Sequence, residues 1–216
     1  MRKLLVLAII TFVNFTTYSQ NSAEAKKILD EVAAKVEGYQ NIEIEFNHRL
    51  DNEDANVHQE TRGNVTLKGD LYHLSYMGTE QVFDGKKIYL IIHEDEEVII
   101  QKPSKTEDAL TPSKMFSFYK NGYTYKMGAL ETIKGVKIQY VTLTPIDTHS
   151  EISSVKVGVD VKTKHIYNII ESGQNKTVTT LEVRSFKTNQ PISEKLFIFD
   201  RAKYKDQKKY TISEPK

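Results

Sequence analysis

Six histidines, His48, His58, His73, His93, His149 and His165, are the side chains of this sequence best suited to acid–base or metal chemistry near neutral pH. No two of them are spaced i, i+4 with a glutamate after the first, and no two share a predicted face, so the converging ligands of a zinc site are not spelled out. His48 and His58 flank a polar loop with Asp51, Glu53 and Asp54, and His48, Asp51 and His58 are the one trio that could assemble a hydrolytic site from separate residues. The nucleophile that such a site needs has no motif here: GxSxG is absent, and so is a glycine-rich phosphate loop. Glu43 and Glu45 share a strand face, as a glycosidase pair would, but an outward polar face accounts for them more simply. "HEDEE", His93–Glu97, reads as a solvated turn. The residues therefore predict no catalytic group, no metal and no cofactor, and a protein that is not an enzyme.

What remains is a great deal of apolar strand. "IEIEF" alternates strictly, placing Ile42, Ile44 and Phe46 on one face and the two glutamates on the other. "NVTL", "LYHLSY", "KIYLII" and "VII" follow, punctuated by "KGD", "DGK" and "EDEE" turns, and the pattern predicts an antiparallel meander. Strands resume after "GYTY" with "VKIQYVTLTP", "SVKVGVDV", "HIYNIIES", "KTVTTLEVRSF" and "KLFIFD". Two helical inserts interrupt them. Ser22–Gly38 carries a serine cap, a 3.6-residue apolar period and a glycine stop. Asp108–Gly128 opens on Thr111 as a cap and Pro112 in the first turn, with Met115, Phe116, Phe118 and Tyr119 close behind. Roughly ten strands with these inserts predict a mainly β (α+β) fold: a strongly curved, incompletely closed antiparallel barrel with an N-terminal helix and a short helical lid on its concave side. In "YLII" both faces are apolar, so the phase of Leu90 and Ile92 stays open.

Length and composition fit one domain. The chain has 216 residues, 39% hydrophobic and 27% charged, with no proline-rich or glycine/serine-rich linker and no fixed repeat. "MRKLLVLAIITFVNFTTYSQ" has the basic start, the short apolar run from Leu4 to Val13 and the small polar end of a secretory signal. The reading is residues 1–20 as a cleaved signal peptide and 21–216 as a single domain in the periplasm. Removing Arg2 and Lys3 takes the 30 basic residues to 28 against 29 acidic, a balance that suits no nucleic acid. "RAKYKDQKK", Arg201–Lys209, is read as a solvated tail. With no cysteine in the sequence there are no disulfides and no thiol to take a lipid anchor.

The order of "AKKILDEVAAK", "IEIEF", "GNVTLKGDLYHLSY", "FDGKKIYLI" with its acidic hairpin, "LTPSKMFSFY", "YVTLTP" and "LEVRSFKTNQPISEKLFIF" resembles the LolA family of periplasmic lipoprotein carriers over nearly the whole mature chain. The resemblance implies a nearly closed barrel and helices enclosing an apolar pocket for acyl chains, in a monomer that moves lipoproteins from inner to outer membrane. It implies three partners: acylated lipoproteins, an inner-membrane lipoprotein-releasing transporter and an outer-membrane acceptor. Ile44, Phe46, Leu74, Tyr76, Leu90 and Ile92 would line the pocket, and Met115, Phe116, Phe118 and Tyr119 would form the lid. Where the family carries an arginine before proline to hold the lid shut, this chain has "KGD", so closure falls to Lys68, with Arg62 as its substitute. Lysine lacks the planar fork that gathers several carbonyls. The alternative within the same fold is a lipid- or lipoprotein-sensing envelope module.

Overall fold

The computed structural model describes residues 2–103 and 112–214, with side chains from Gln20 onward. Helix α1 (Arg2–Glu37) is followed by strands β1 (Ile42–Asn52), β2 (Val57–Lys68), β3 (Leu71–Tyr76), β4 (Thr79–Phe83), β5 (Ile88–Ile92) and β6 (Glu97–Gln101). After two short 3-10 turns, Pro112–Phe116 and Phe118–Lys120, come β7 (Tyr123–Ile133), β8 (Val136–Pro145), β9 (Ile152–Asp160), β10 (Ile166–Gly173) and β11 (Val178–Thr188). A 3-10 turn at Glu194–Phe197, one π-helical turn at Lys203–Gln207 and β12 (Thr211–Ser213) close the chain.

The strands form a single curved sheet in the order β12-β6-β5-β4-β3-β2-β1-β11-β10-β9-β8-β7, open between β7 and β12. The two halves of the chain meet where β1 pairs with β11, Ile42 opposite Thr188 and Leu50 opposite Thr179. All pairings are antiparallel except β12 with β6.

The expected mainly β architecture with its N-terminal helix is what the chain adopts; several elements differ in detail. Among the described residues there are twelve strands, not roughly ten. The extra β4 is joined to β3 through Met77 and Gly78, both with positive φ (52° and 73°), the backbone of a tight two-residue hairpin. "KLFIFD" is not a strand: Ser193 caps a 3-10 turn there, its hydroxyl accepting from the Lys195 N–H, and Phe197 is buried. The lid segment is built of 3-10 turns rather than one α-helix; Asp108 to Thr111, including the expected cap, lies outside the described residues. The helix expected at Ser22 runs unbroken from Arg2, and its expected end is met, the Gly38 N–H closing the last turn on the Lys35 carbonyl.

Ala25, Leu29, Val32 and Ala33 form one stripe of α1 and are buried against the sheet. Their partners are Ile42, Ile44 and Phe46 of β1, Val65 and Leu67 of β2, Val141 and Leu143 of β8, and Val155, Val157 and Val159 of β9. This defines the inner face. Where α1 meets edge strand β7, the Asn21 side-chain oxygen accepts from the Met127 N–H at 2.8 Å.

A second, smaller core lies on the outer face. Val82, Ile91, Val98 and Ile100 pack with Tyr204. The C-terminal segment crosses that face as a strap: Phe199 stacks on Tyr89 at 4.5 Å between ring centroids, Tyr204 stacks on Phe199, and Tyr210 meets His93. "RAKYKDQKK" is thus no free tail. Tyr204 is 4% exposed and fixes a turn whose lysines point to solvent, Lys203 and Lys208 lying over its ring.

Candidate binding cavity and lid

Cross-strand partners share a face and neighbours along a strand alternate, so the register settles the phase of "YLII". Tyr89 and Ile91 pair with Val82 and Glu80 and face the strap. Ile88, Leu90 and Ile92 pair with Phe83, Gln81 and Thr79 and, on the other side, with Gln101, Ile99 and Glu97, all on the inner face. The arm β3–β6 therefore carries apolar residues on both sides, those of its outer side covered by the strap. On its inner side Ile88, Leu90, Ile92 and Ile99 are half-buried and belong to neither packed cluster.

The other expected pocket residues sit deeper. Ile44 and Phe46 are buried in the main core, and Leu74 and Tyr76 are half-buried against it. Phe46 lies over Gly63, where an added Cβ would come within 2.4 Å of the ring. The missing side chain makes room for the aromatic. Tyr76 accepts or donates a 2.9 Å hydrogen bond with His48 Nδ1, and burial holds His48 below its usual range. Beside them Tyr72, pushed up to about 12 by burial, donates to Gln81 Oε1 at 2.8 Å.

The 3-10 turns close over this floor. Phe116 and Tyr119 are buried, while Met115 and Phe118 are half-buried against the same cluster. Phe116 meets Phe186 edge-on at 6.3 Å and Phe118 meets Tyr123 at 5.9 Å. Tyr119 donates to Asp30 Oδ1 of α1 at 2.9 Å, and its carbonyl accepts from the Tyr125 hydroxyl at 2.7 Å. Burial would by itself raise Asp30; hydrogen bonds from Lys26 and Tyr119 outweigh it and hold the carboxyl below its usual range. Between the turns, the end of α1 and the β2–β3 turn lies a cavity of about 330 Å³, walled by Ala33, Val36, Ile42, Leu67 and Phe116 and rimmed by Glu37 and Asp70. That is the small end of the ~300–1,000 Å³ typical of ligand pockets.

Each of the two expected closing cations has a neighbour outside the lid turns. Lys68 forms an ion pair with Glu194 at the root of the strap. Arg62, paired across the sheet with Asn47, lies with Arg184 at a separate hollow. The residues weighed for hydrolysis do not converge either: three residues apart on β1, His48 and Asp51 face opposite ways, His48 toward Tyr76 and Asp51 onto His58 at 3.1 Å. Two histidines do meet on the outer face, where His73 and His93 both bind Glu80; hydrogen bonding from His73, helped by His93 against the cost of burial, brings that carboxyl down to about 2. Among the described residues no group of three or more His, Asp or Glu could hold a metal ion.

The fold is thus an open curved sheet with a helix and two 3-10 turns over its inner face and a hollow of mixed polar and apolar lining between them. The profile described as "Outer membrane lipoprotein carrier protein LolA" matches residues 37–200. The chain belongs to the LolA family. No curated protein sequence matches it. Among solved structures, an uncharacterized conserved protein from Thermus thermophilus superposes with a TM-score of 0.60 at 9% identity, covering 89% of this chain and 99% of the other. A LolA superfamily protein from Nitrosomonas europaea gives 0.44 at 14% identity, over 81% and 97% of the two chains. The lipoprotein LppX of Mycobacterium tuberculosis gives 0.47 at 14%, over 78% and 98%. The first of these likenesses shows that the two chains share a fold. Among the described residues no helix is long and apolar enough to cross a membrane.

Proposed function

We propose that this LolA-family protein is an exported carrier that shields the acyl chains of lipoproteins between the inner face of its sheet and its lid turns. The observation that carries the reading is the inner side of β4–β6. Ile88, Leu90, Ile92 and Ile99 form an apolar wall that α1 does not cover and neither core consumes. The physical need is large: burying a sixteen-carbon chain is worth on the order of 12 kcal/mol at about 0.8 kcal/mol per methylene. A triacylated protein does not cross water unaided against that figure.

The small cavity of about 330 Å³ is then the resting state, in which Phe116 and its neighbours occupy space that a chain takes when the turns lift. Release needs a binder of higher affinity downstream, since a ligand moves between states only by its difference in affinity. In this reading residues 1–20 are removed on export, the protein loads from an inner-membrane transporter and it unloads at the outer membrane. The test is solubility. Detergent-free protein is expected to keep an acylated lipoprotein in the supernatant and to leave its unacylated form unaffected; equal behaviour of the two forms overturns the proposal.

A further inference from the structure

At the end of the inner face opposite the lid cavity, a second hollow of about 740 Å³ opens beside the β10–β11 hairpin, lined by Ser150, Glu171, Gln174, Thr177 and Thr179 among others. The register fixes which side of the sheet Glu171 occupies. It pairs with Val155 on one side and Thr179 on the other. Val155 is 2% exposed in the main core, and Thr179 pairs with Leu50, which alternates in phase with Ile44 and Phe46. A carboxylate therefore stands on the same inner face of the sheet as the main core.

Most carboxylates of this protein that are partly withdrawn from water have a partner: Asp30 has Lys26, Glu80 has two histidines, and Asp84 and Asp160 take backbone N–H groups. Glu171 has no hydrogen-bond or ion-pair partner among the described residues. Burial pushes it above its usual range, and the same carboxylate, after burial, helps push Tyr123 up, so the two groups lie within electrostatic reach of each other. Tyr123 packs edge-on against Phe118 of the lid. A half-buried carboxylate left without a donor is costly unless something supplies one. An ammonium group has three donors and a charge, and the hydroxyls of Thr177, Thr179 and Ser150 can accept what Glu171 does not take.

We infer that this hollow receives the primary ammonium group of an acylated ligand whose hydrocarbon lies along the inner face, with Glu171 as its counter-charge. The inference rests on the carrier reading and adds the chemistry of the head group to it. A free α-amino group on an acylated cysteine and the amine of an ethanolamine phospholipid are two sources of that chemistry.

Affinities of hexadecylamine and hexadecanol, measured by displacement of a fluorescent fatty acid, separate the two levels of the argument. Wild-type protein is expected to hold the amine at least ten times more tightly, and Glu171→Gln to erase the difference while leaving hexadecanol binding unchanged. Equal affinities in the wild type, or a preference that survives Glu171→Gln, overturn the role of Glu171 alone. Binding of neither ligand overturns the carrier reading and this inference with it. A diacylated cysteine peptide with a free amine, its N-acylated form and lysophosphatidylethanolamine then identify the source: tighter binding of either amine than of the N-acylated peptide supports the inference, and indifference to all three contradicts it.

Discussion

The Tyr119 hydroxyl donates to the Asp30 carboxylate across 2.9 Å, tying the turn that closes the inner face to the helix beside it. Asp30 is already held by Lys26 one helical turn earlier at 2.8 Å, so the acceptor is fixed before the lid reaches it. This latch joins the lid to α1, whereas Lys68 is engaged with the strap.

Tyr119→Phe keeps the ring in the core and removes the latch. A hydrogen bond of this kind contributes about 1 kcal/mol, which corresponds to roughly five-fold in a two-state opening equilibrium. Stopped-flow uptake of a fluorescent fatty acid should accelerate by about that factor. An unchanged rate would show that the turn does not gate entry.

Neighbouring residues of β5 should separate stability from binding. Ile91, 1% exposed under the strap, should lose about 3 kcal/mol on truncation to alanine, read by urea unfolding. Leu90→Ser, on the half-buried inner side, should cost well under half of that and weaken acyl-chain binding instead. If Leu90→Ser leaves binding unchanged, the inner face of this arm is ordinary core.

Gly63→Ala would bring a methyl group within 2.4 Å of the Phe46 ring, a clash worth about 1–3 kcal/mol in a packed core. Phe46→Leu opens the space. The double variant should be less destabilised than the sum of the two single changes, and a thermal-unfolding cycle that adds up simply would contradict the contact.

Much of this arrangement was legible in the sequence, because two-residue alternation and 3.6-residue periodicity report directly on a half-buried sheet and an amphipathic helix. Ile42, Ile44 and Phe46 lie where their spacing places them. What stayed hidden depended on partners distant in the chain. The two apolar faces of "YLII" could not be told apart without the strap, whose Tyr204 and Tyr210 are masked by surrounding lysines. Strand β4 leaves no clear mark in the sequence because its hairpin turns on Met77–Gly78, and methionine is not a residue that advertises a left-handed turn. The ion pair of Lys68 with Glu194, 126 residues later, has no local sign in "KGD". Glu171 gave no local sign, since nothing in "NIIESG" tells which face the glutamate takes.

Acid should loosen the strap first. Glu80 binds His73 and His93, and His93 in turn meets Tyr210. Its carboxyl falls from an ordinary 4.5 to about 2 in the folded protein, so its stabilisation is fully present above pH 4.5 and is lost as pH falls toward 2. Allowing for partial exposure, the loss is on the order of 2 kcal/mol. The wild type should lose that much more unfolding free energy than Glu80→Gln between those limits, and parallel pH profiles would contradict it.

The central claim is that a guest chain lies on the inner side of β4–β6. A lipopeptide carrying a photoreactive diazirine midway along its palmitoyl chain, crosslinked in the purified complex and mapped by mass spectrometry, tests it most directly. Labels are expected on Ile88, Leu90, Ile92 and Ile99 and on the lid residues Met115 and Phe118. Labels confined to the strap side, at Tyr89, Ile91 or Tyr204, or spread without preference over the surface, would contradict the account.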